Sequence, residues 1–278
     1  MLRSHLQLPV RKAAFLLLFA AGSLAASGVT AQQVRTAERS VSFKPIGLYQ
    51  LELDGVIDNE ARIYHSAGLG TILVRSPQIS RIVELVPRGR QMQAFADKSF
   101  FRNVDGTYEK LPNEEPIELG TFQLNGDLAS FTVEGRRVAF VKKPHLLGPR
   151  DREGLIEHSP AYGERSKIYQ PIAQYVDLLK RVEDEVEIRV FFGSFCSVCT
   201  EFVPHILATE AALAGTKVKF TYHGLPQNFD DAEAKKLGVT SVPTGIIFQN
   251  GEEVGRASGY SWQYPSMTVV NTLSGLKR

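Results

Sequence analysis

The sequence predicts a small, mainly antiparallel β domain followed by an α/β domain at the carboxyl end. Three observations predict it. Between about Phe43 and Val141, apolar and polar residues alternate at period two, broken at short intervals by turn pairs, as in half-buried antiparallel strands. From Ile172 onward helical and strand-like spacings alternate, which favours helices layered on a sheet. Between them Pro144, Gly148, Pro149, Asp151, Arg152, Glu153 and then Ser159-Pro160 turn the texture polar and breaker-rich, the composition of a boundary. The 278 residues, 43% hydrophobic and 22% charged, suffice for two cores and exclude a fibrous or wholly disordered chain.

The first 31 residues read as an address. Arg3, Arg11 and Lys12 precede an apolar run from Ala13 to Ala20, which fades through Gly22, Ser23 and Ser27 into Val29-Thr30-Ala31. That is a secretory signal with its cut expected after Ala31; the run is too short and too broken for a spanning helix of about 20 apolar residues. Beyond Ala31, 29 basic residues face 30 acidic ones, so the mature chain is nearly neutral and carries no basic excess for nucleic acid. A soluble periplasmic or otherwise exported protein, with no membrane span after cleavage, is expected. Only two cysteines occur, three positions apart, which excludes a disulfide-stapled scaffold.

Residues 32–143 form the expected β-rich domain. Its turn signals are Asp54-Gly55, Asp105-Gly106, Asn125-Gly126 and Glu134-Gly135, each between apolar runs, which suits a sandwich or barrel. Tyr64 and His65 lie in a strand-like run and read as structural or surface groups; Arg81, Arg88 and Arg90 read as a solvated face. Residues 144–165 are expected as a linker. The α/β domain, residues 166–278, opens with a helix carrying Ile172, Tyr175, Val176, Leu179 and Val182 on one face. A strand over Val186–Phe192 follows, then a helix from Cys199 to about Ala214 and a strand from Lys217 to His223. A short helix ends at Gly238, a hairpin turns at Asn250-Gly251, and a closing helix runs over Ser266–Lys277.

The chemistry sits in Phe191-Phe192-Gly193-Ser194-Phe195-Cys196-Ser197-Val198-Cys199. A strand enters a turn, and the first cysteine stands where a helix begins. There, free amides and the helix dipole stabilise a thiolate below the ordinary thiol value of about 8.5. Two intervening residues on a helical turn bring the sulfurs within bonding reach, so Cys196 would attack and Cys199 would resolve the mixed disulfide. Zinc wants about four ligands, and His205 and His223 are not at finger spacing. Copper(I) held by the two thiolates stays open as an alternative.

With its surroundings, this segment resembles the thioredoxin-like superfamily over residues 166–278. Pro204 lies eight residues after Cys196, Ser241-Val242-Pro243-Thr244 is similar to the family's cis-proline loop, and Gly251 and Gly259 follow Pro243 at intervals of eight and sixteen. The resemblance implies that Pro243 packs against the redox pair, and that the Val242 backbone receives an extended client chain beside Phe195, Ser197 and Val198. It implies no cofactor beyond the Cys196–Cys199 disulfide itself. Phe195 stands where the family usually has Trp, and Val190 where it usually has a buried acid, so Glu187, Glu201 or another group would have to serve Cys199. Trp262 reads as core or surface packing.

The expected function is exported thiol–disulfide exchange with cysteine-bearing client proteins, leaning to a reductant or electron donor fed by a membrane redox partner. The alternative is a binding or assembly module, or a thiolate copper carrier, on the same scaffold.

Overall fold

A computed structural model describes residues 41–275, so the segment read as a signal lies outside the described residues. The first half is built of strands only a few residues long: β1 (Val41–Pro45), β2 (Tyr49–Leu53), β3 (Val56–Asp58), β4 (Arg62–Ser66), β5 (Thr71–Arg75), β6 (Ile82–Val86) and β7 (Gln91–Phe95). It continues through β8 (Phe100–Arg102), β9 (Tyr108–Lys110), β10 (Ile117–Thr121), β11 (Gln123–Asn125), β12 (Leu128–Val133) and β13 (Arg136–Lys142). All their pairings are antiparallel, in one sheet ordered β10-β7-β6-β5-β4-β1-β9-β8 and another ordered β11-β12-β13-β2-β3.

The predicted turn pairs do what their residues favour. Asp54-Gly55 joins β2 to β3 and Glu134-Gly135 joins β12 to β13, each with both residues at positive φ, as a two-residue hairpin requires. Leu51, Leu53, Val138 and Phe140 from the smaller sheet share one buried cluster with Ile63, Val74, Val83, Leu85 and Met92 from the larger. Two acidic side chains are buried here, Asp58 and Glu84. Glu84 is 1% exposed and accepts from Thr71 Oγ1 at 2.7 Å, Gln93 Nε2 at 2.8 Å and Lys110 Nζ at 3.1 Å. Burying a carboxylate is costly unless it is paired and hydrogen-bonded, and this one is both.

The second half comprises β14 (Gly148–Arg150), α1 (Arg152–His158), α2 (Pro160–Ser166), α3 (Ala173–Lys180), β15 (Val186–Phe192), α4 (Ser197–Ala212), β16 (Val218–Gly224), α5 (Ala232–Lys236), β17 (Thr244–Gln249), β18 (Glu252–Ser258) and α6 (Pro265–Leu273). Its sheet runs β14-β16-β15-β17-β18, with β15 and β16 parallel and the other pairings antiparallel. On one face Val186, Ile188, Val190 and Phe192 pack against Val203, Ile206 and Leu207 of α4. Phe191 joins a separate cluster with Leu225, Ala234 and Ile246. Trp262 is fully buried in the larger cluster and donates from Nε1 to the Ala257 carbonyl, so it is core.

The expected linker, residues 144–165, is instead structured. Within it β14 pairs with β16, and α1 and α2 bury Leu155 and Tyr162 in the cluster that contains Cys199. The breakers that suggested a linker have local duties: Asp151 caps α1 by accepting from the Gly154 amide, and Pro160 opens α2, where a missing amide costs nothing. The carboxyl-terminal fold therefore begins near Gly148 rather than at residue 166. The described residues belong to one compact unit. Glu164 on α2 bridges to Arg102 of β8 at 2.6 Å.

Candidate active site

β15 delivers the chain into the turn Gly193-Ser194-Phe195, where the Cys196 amide donates to the Gly193 carbonyl at 3.0 Å. The helix expected from Cys199 begins at Ser197, and Cys196 is its N-cap, with extended backbone and a sulfur accepting the Cys199 amide at 3.2 Å. A sulfur in that place meets free amides and the positive end of the dipole of α4. The Cys196 thiol is brought down to about 6, first by hydrogen bonding with Cys199 and then by the Cys199 and Val198 amides, with burial opposing. Cys199 is fully buried, and burial followed by its bond to Cys196 pushes its thiol well up. Its one backbone donor is the Gly193 amide, 3.5 Å away. Both cysteines are free thiols here.

The Val242–Pro243 bond is cis. This loop places the Val242 carbonyl 3.4 Å from Cys196 Sγ, and Thr244 Oγ1 braces the turn by donating to the Ser241 carbonyl. Cys196, Cys199, Val242 and Pro243 thus come together. Phe195 does not join them in the same way. Its ring turns back over Gly193, where a Cβ would stand 2.6 Å from it, and faces the His145 ring at 5.3 Å. Ser197 is exposed on the first turn of α4, and Val198 packs half-buried against the main cluster.

Val190 is fully buried in the cluster that holds Cys199, so no carboxylate stands there. Neither expected substitute is hydrogen-bonded to the dithiol. Glu187 is tied to Arg189 at 2.9 Å and to Thr221, and Glu201 to Arg165 at 2.8 Å. The two histidines weighed as ligands are engaged elsewhere: His205 stacks on Tyr169 at 3.8 Å, and His223 meets Asp231 at 3.0 Å. Among the described residues no group of three or more His, Cys, Asp or Glu side chains is placed to hold a metal.

Five neighbours of the site were not visible in the sequence. The Leu146 amide donates to Ser194 Oγ at 3.2 Å and His145 lies on Phe195, so the chain entering β14 straps the redox turn. Tyr162 packs in the buried cluster that holds Cys199, and Thr200 Oγ1 donates to the Cys196 carbonyl at 3.2 Å. Pro204 has no amide, which leaves the Thr200 carbonyl without its helical partner, and Arg165 of α2 donates to it at 2.8 Å. Tyr162 and Arg165 fall in the stretch read as a linker, where no apolar periodicity drew attention to them.

A thioredoxin from Chlamydia caviae is 34% identical over 83 residues, which make up 29% of this chain and 76% of that protein. The chain belongs to the thioredoxin-like superfamily. The matched share is consistent with a thioredoxin-like part in the carboxyl-terminal portion that carries the dithiol. No family model matches. Among solved structures, Fasciola hepatica thioredoxin aligns at 23% identity over 36% of this chain and 92% of its own, with a TM-score of 0.28. Mitochondrial thioredoxin 3 from Saccharomyces cerevisiae aligns at 17% over 38% and 98%, with a TM-score of 0.27. A Pseudomonas aeruginosa protein of unknown function aligns at 11% over 46% and 94%, with a TM-score of 0.39.

Proposed function

We propose that this chain is an exported thiol–disulfide oxidoreductase that reduces disulfides of client proteins through the Cys196–Cys199 pair. The observation that carries the reading is Cys196 Sγ capping α4 at 3.2 Å from the Cys199 amide, with its thiol held near 6. At neutral pH that sulfur is mostly thiolate, the form that attacks disulfides. It cleaves the client S–S bond, forming a Cys196–client disulfide and releasing one client thiolate. Cys199 then attacks Cys196, the second client sulfur leaves with the bonding pair, and two electrons have passed to the client.

Clients would lie along the Val242 carbonyl, beside Phe195, Ser197 and Val198. A thiol near 6 is closer to the value of about 7 in thioredoxin than to the value of about 3.5 in the strongest oxidant, which supports the donor role. Regeneration requires an external dithiol, which a membrane redox partner would supply. No helix among the described residues is long and apolar enough to cross a membrane.

Two measurements test this. Equilibration with glutathione buffers is expected to place the pair near about −270 mV, whereas about −120 mV would make it an oxidant and the lack of any reversible couple would reject redox turnover. Cys199→Ser is expected to trap client proteins on Cys196 as mixed disulfides, and Cys196→Ser to trap none.

A further inference from the structure

Val104 is 83% exposed, more than any other large hydrophobic side chain among the described residues, and Phe101 beside it on the chain is 59% exposed. Both stand on the hairpin that joins β8 to β9 at one border of the larger sheet. Single apolar side chains at a surface need no explanation, but this pair is held out on a braced turn. The Asn103 amide donates to the Thr107 carbonyl at 2.8 Å and the Gly106 amide to the Asn103 carbonyl at 3.0 Å. The Asp105 carboxylate accepts from the Thr107 amide at 3.0 Å and from its hydroxyl at 2.7 Å, and Asn103 Nδ2 donates to Thr107 Oγ1 at 3.0 Å. A loop fixed in this way loses little freedom when a ligand packs on it.

The hairpin is tied to the dithiol by a series of contacts. Arg102 of β8 meets Glu164 of α2 at 2.6 Å, and Glu164 Oε2 lies against Gly106, where a Cβ would stand 2.2 Å from it. The next residue of α2, Arg165, meets Glu201 of α4 at 2.8 Å and donates to the Thr200 carbonyl at 2.8 Å. Glu201 follows Ser197 by four residues, so the two share a face of α4, and both are exposed. Ser197 adjoins Cys196. These residues neutralise one another in pairs, Arg102 with Glu164 and Arg165 with Glu201, so a chain crossing them meets no unpaired charge among them.

We propose that the β8–β9 tip, through Val104 and Phe101, binds apolar side chains of the client polypeptide whose disulfide Cys196 attacks. The inference rests on the dithiol reading above and names the substrate class for it: extended chains with apolar residues near the cysteine, in preference to small disulfides. The occupant is the client because the contacts run from the tip to the first turn of α4, where the client is bonded to Cys196. The first half of the chain thereby takes part in selecting what the second half reduces.

The test uses reduced full-length protein and a synthetic extended peptide whose single cysteine is disulfide-bonded to thionitrobenzoate. The Cys196 thiolate attacks the peptide sulfur, the peptide–thionitrobenzoate S–S bond breaks, and coloured thionitrobenzoate leaves with the electron pair. One version of the peptide carries Leu, Val and Phe on both sides of the cysteine, and another carries Ser at those positions. Wild type is expected to react about fivefold or more faster with the apolar peptide, the order that partial burial of one exposed Val or Phe side chain supplies. Val104→Ser combined with Phe101→Ser is expected to bring that ratio within about twofold, and Val104→Leu to keep it, both with wild-type rates toward 5,5′-dithiobis(2-nitrobenzoate). A wild-type ratio near unity, or a ratio that survives the double substitution, would overturn the proposal. Equal losses with both peptides and the small disulfide would overturn it as well, because they report a disturbed dithiol and not a lost contact. So would a wild-type dimer, seen by sedimentation, that Val104→Ser dissociates, because a second copy would then cover the tip. A wild-type protein that releases only the first chromophore from the small disulfide, with no second release as Cys199 resolves, would instead overturn the dithiol reading.

Discussion

The acidity of Cys196 can be put to a quantitative test with iodoacetamide, which reads thiolate directly. A thiol near 6 is about nine-tenths ionised at pH 7, against about 3% for an ordinary thiol near 8.5. Nucleophilicity falls with basicity at a Brønsted slope of about 0.4 to 0.5, so the 2.5-unit difference removes a factor of about 10 to 18, leaving a gain of only about twofold to threefold at pH 7. Acid conditions separate the cases better. At pH 5.5 the thiolate fractions differ by about 240-fold, and the net advantage over an ordinary thiol becomes about 13-fold to 24-fold.

The alkylation rate of Cys196 should therefore reach half its maximum at about pH 6. Cys199→Ala removes the hydrogen bond that heads the causes of this shift while keeping the amide at position 199, so its midpoint should lie between about 6 and 8.5. A wild-type midpoint at or above 8.5 would refute the idea that the end of α4 activates this sulfur. Stability has the corresponding sign. The folded reduced protein holds Cys196 below its unfolded value, so that contribution is complete above about pH 8.5 and is lost as pH falls through about 6. Cys199 is raised and works in the opposite sense, favouring the fold while the thiol stays protonated.

Two further outcomes concern the scaffold. A Cβ at Gly224 would stand 2.1 Å from the backbone oxygen of Leu146, so Gly224→Ala should push the strap off β16 and lower stability by about 2 kcal/mol or more in urea titration. The same variant should alter Cys196 alkylation, because Leu146 holds Ser194. Glu84→Ala leaves Lys110, Thr71 and Gln93 without their shared acceptor and should cost about 3 to 5 kcal/mol by denaturant titration, a loss well above that of an exposed pair such as Arg75–Asp97.

Elements with a dense local signal were legible in the sequence. Val186–Phe192 is found over the residues that its apolar run marked, and Asp54-Gly55, Glu134-Gly135 and Asn250-Gly251 turn where positive φ was needed. The cysteine pair at a helix start was legible because so few residue types can do its work. The stretch from Pro144 to Arg165 was misread, because its elements are held by partners far along the chain: β14 by β16, α1 through Leu155 in the common core, and α2 by Thr200 and Arg102. A strand as short as Gly148–Arg150 has no period to detect, and its Pro149 reads locally as a breaker. That Tyr162 shares a buried cluster with Cys199 was invisible for the same reason, since the two lie far apart along the chain.

The two outer strands of the carboxyl-terminal sheet bear on how the molecule behaves when crowded. β14 occupies one border, and Pro149 at its centre has no amide to offer a further strand. The opposite border, β18, is exposed and carries Glu252, Glu253 and Arg256, with a register shift opposite Ile247 and Phe248. Charge, irregularity and a missing donor are the means by which sheets resist self-association. Here both borders are blunted, so in the proposed exchange a client chain would be received at Val242, whose carbonyl lies 3.4 Å from Cys196 Sγ, rather than at a sheet edge.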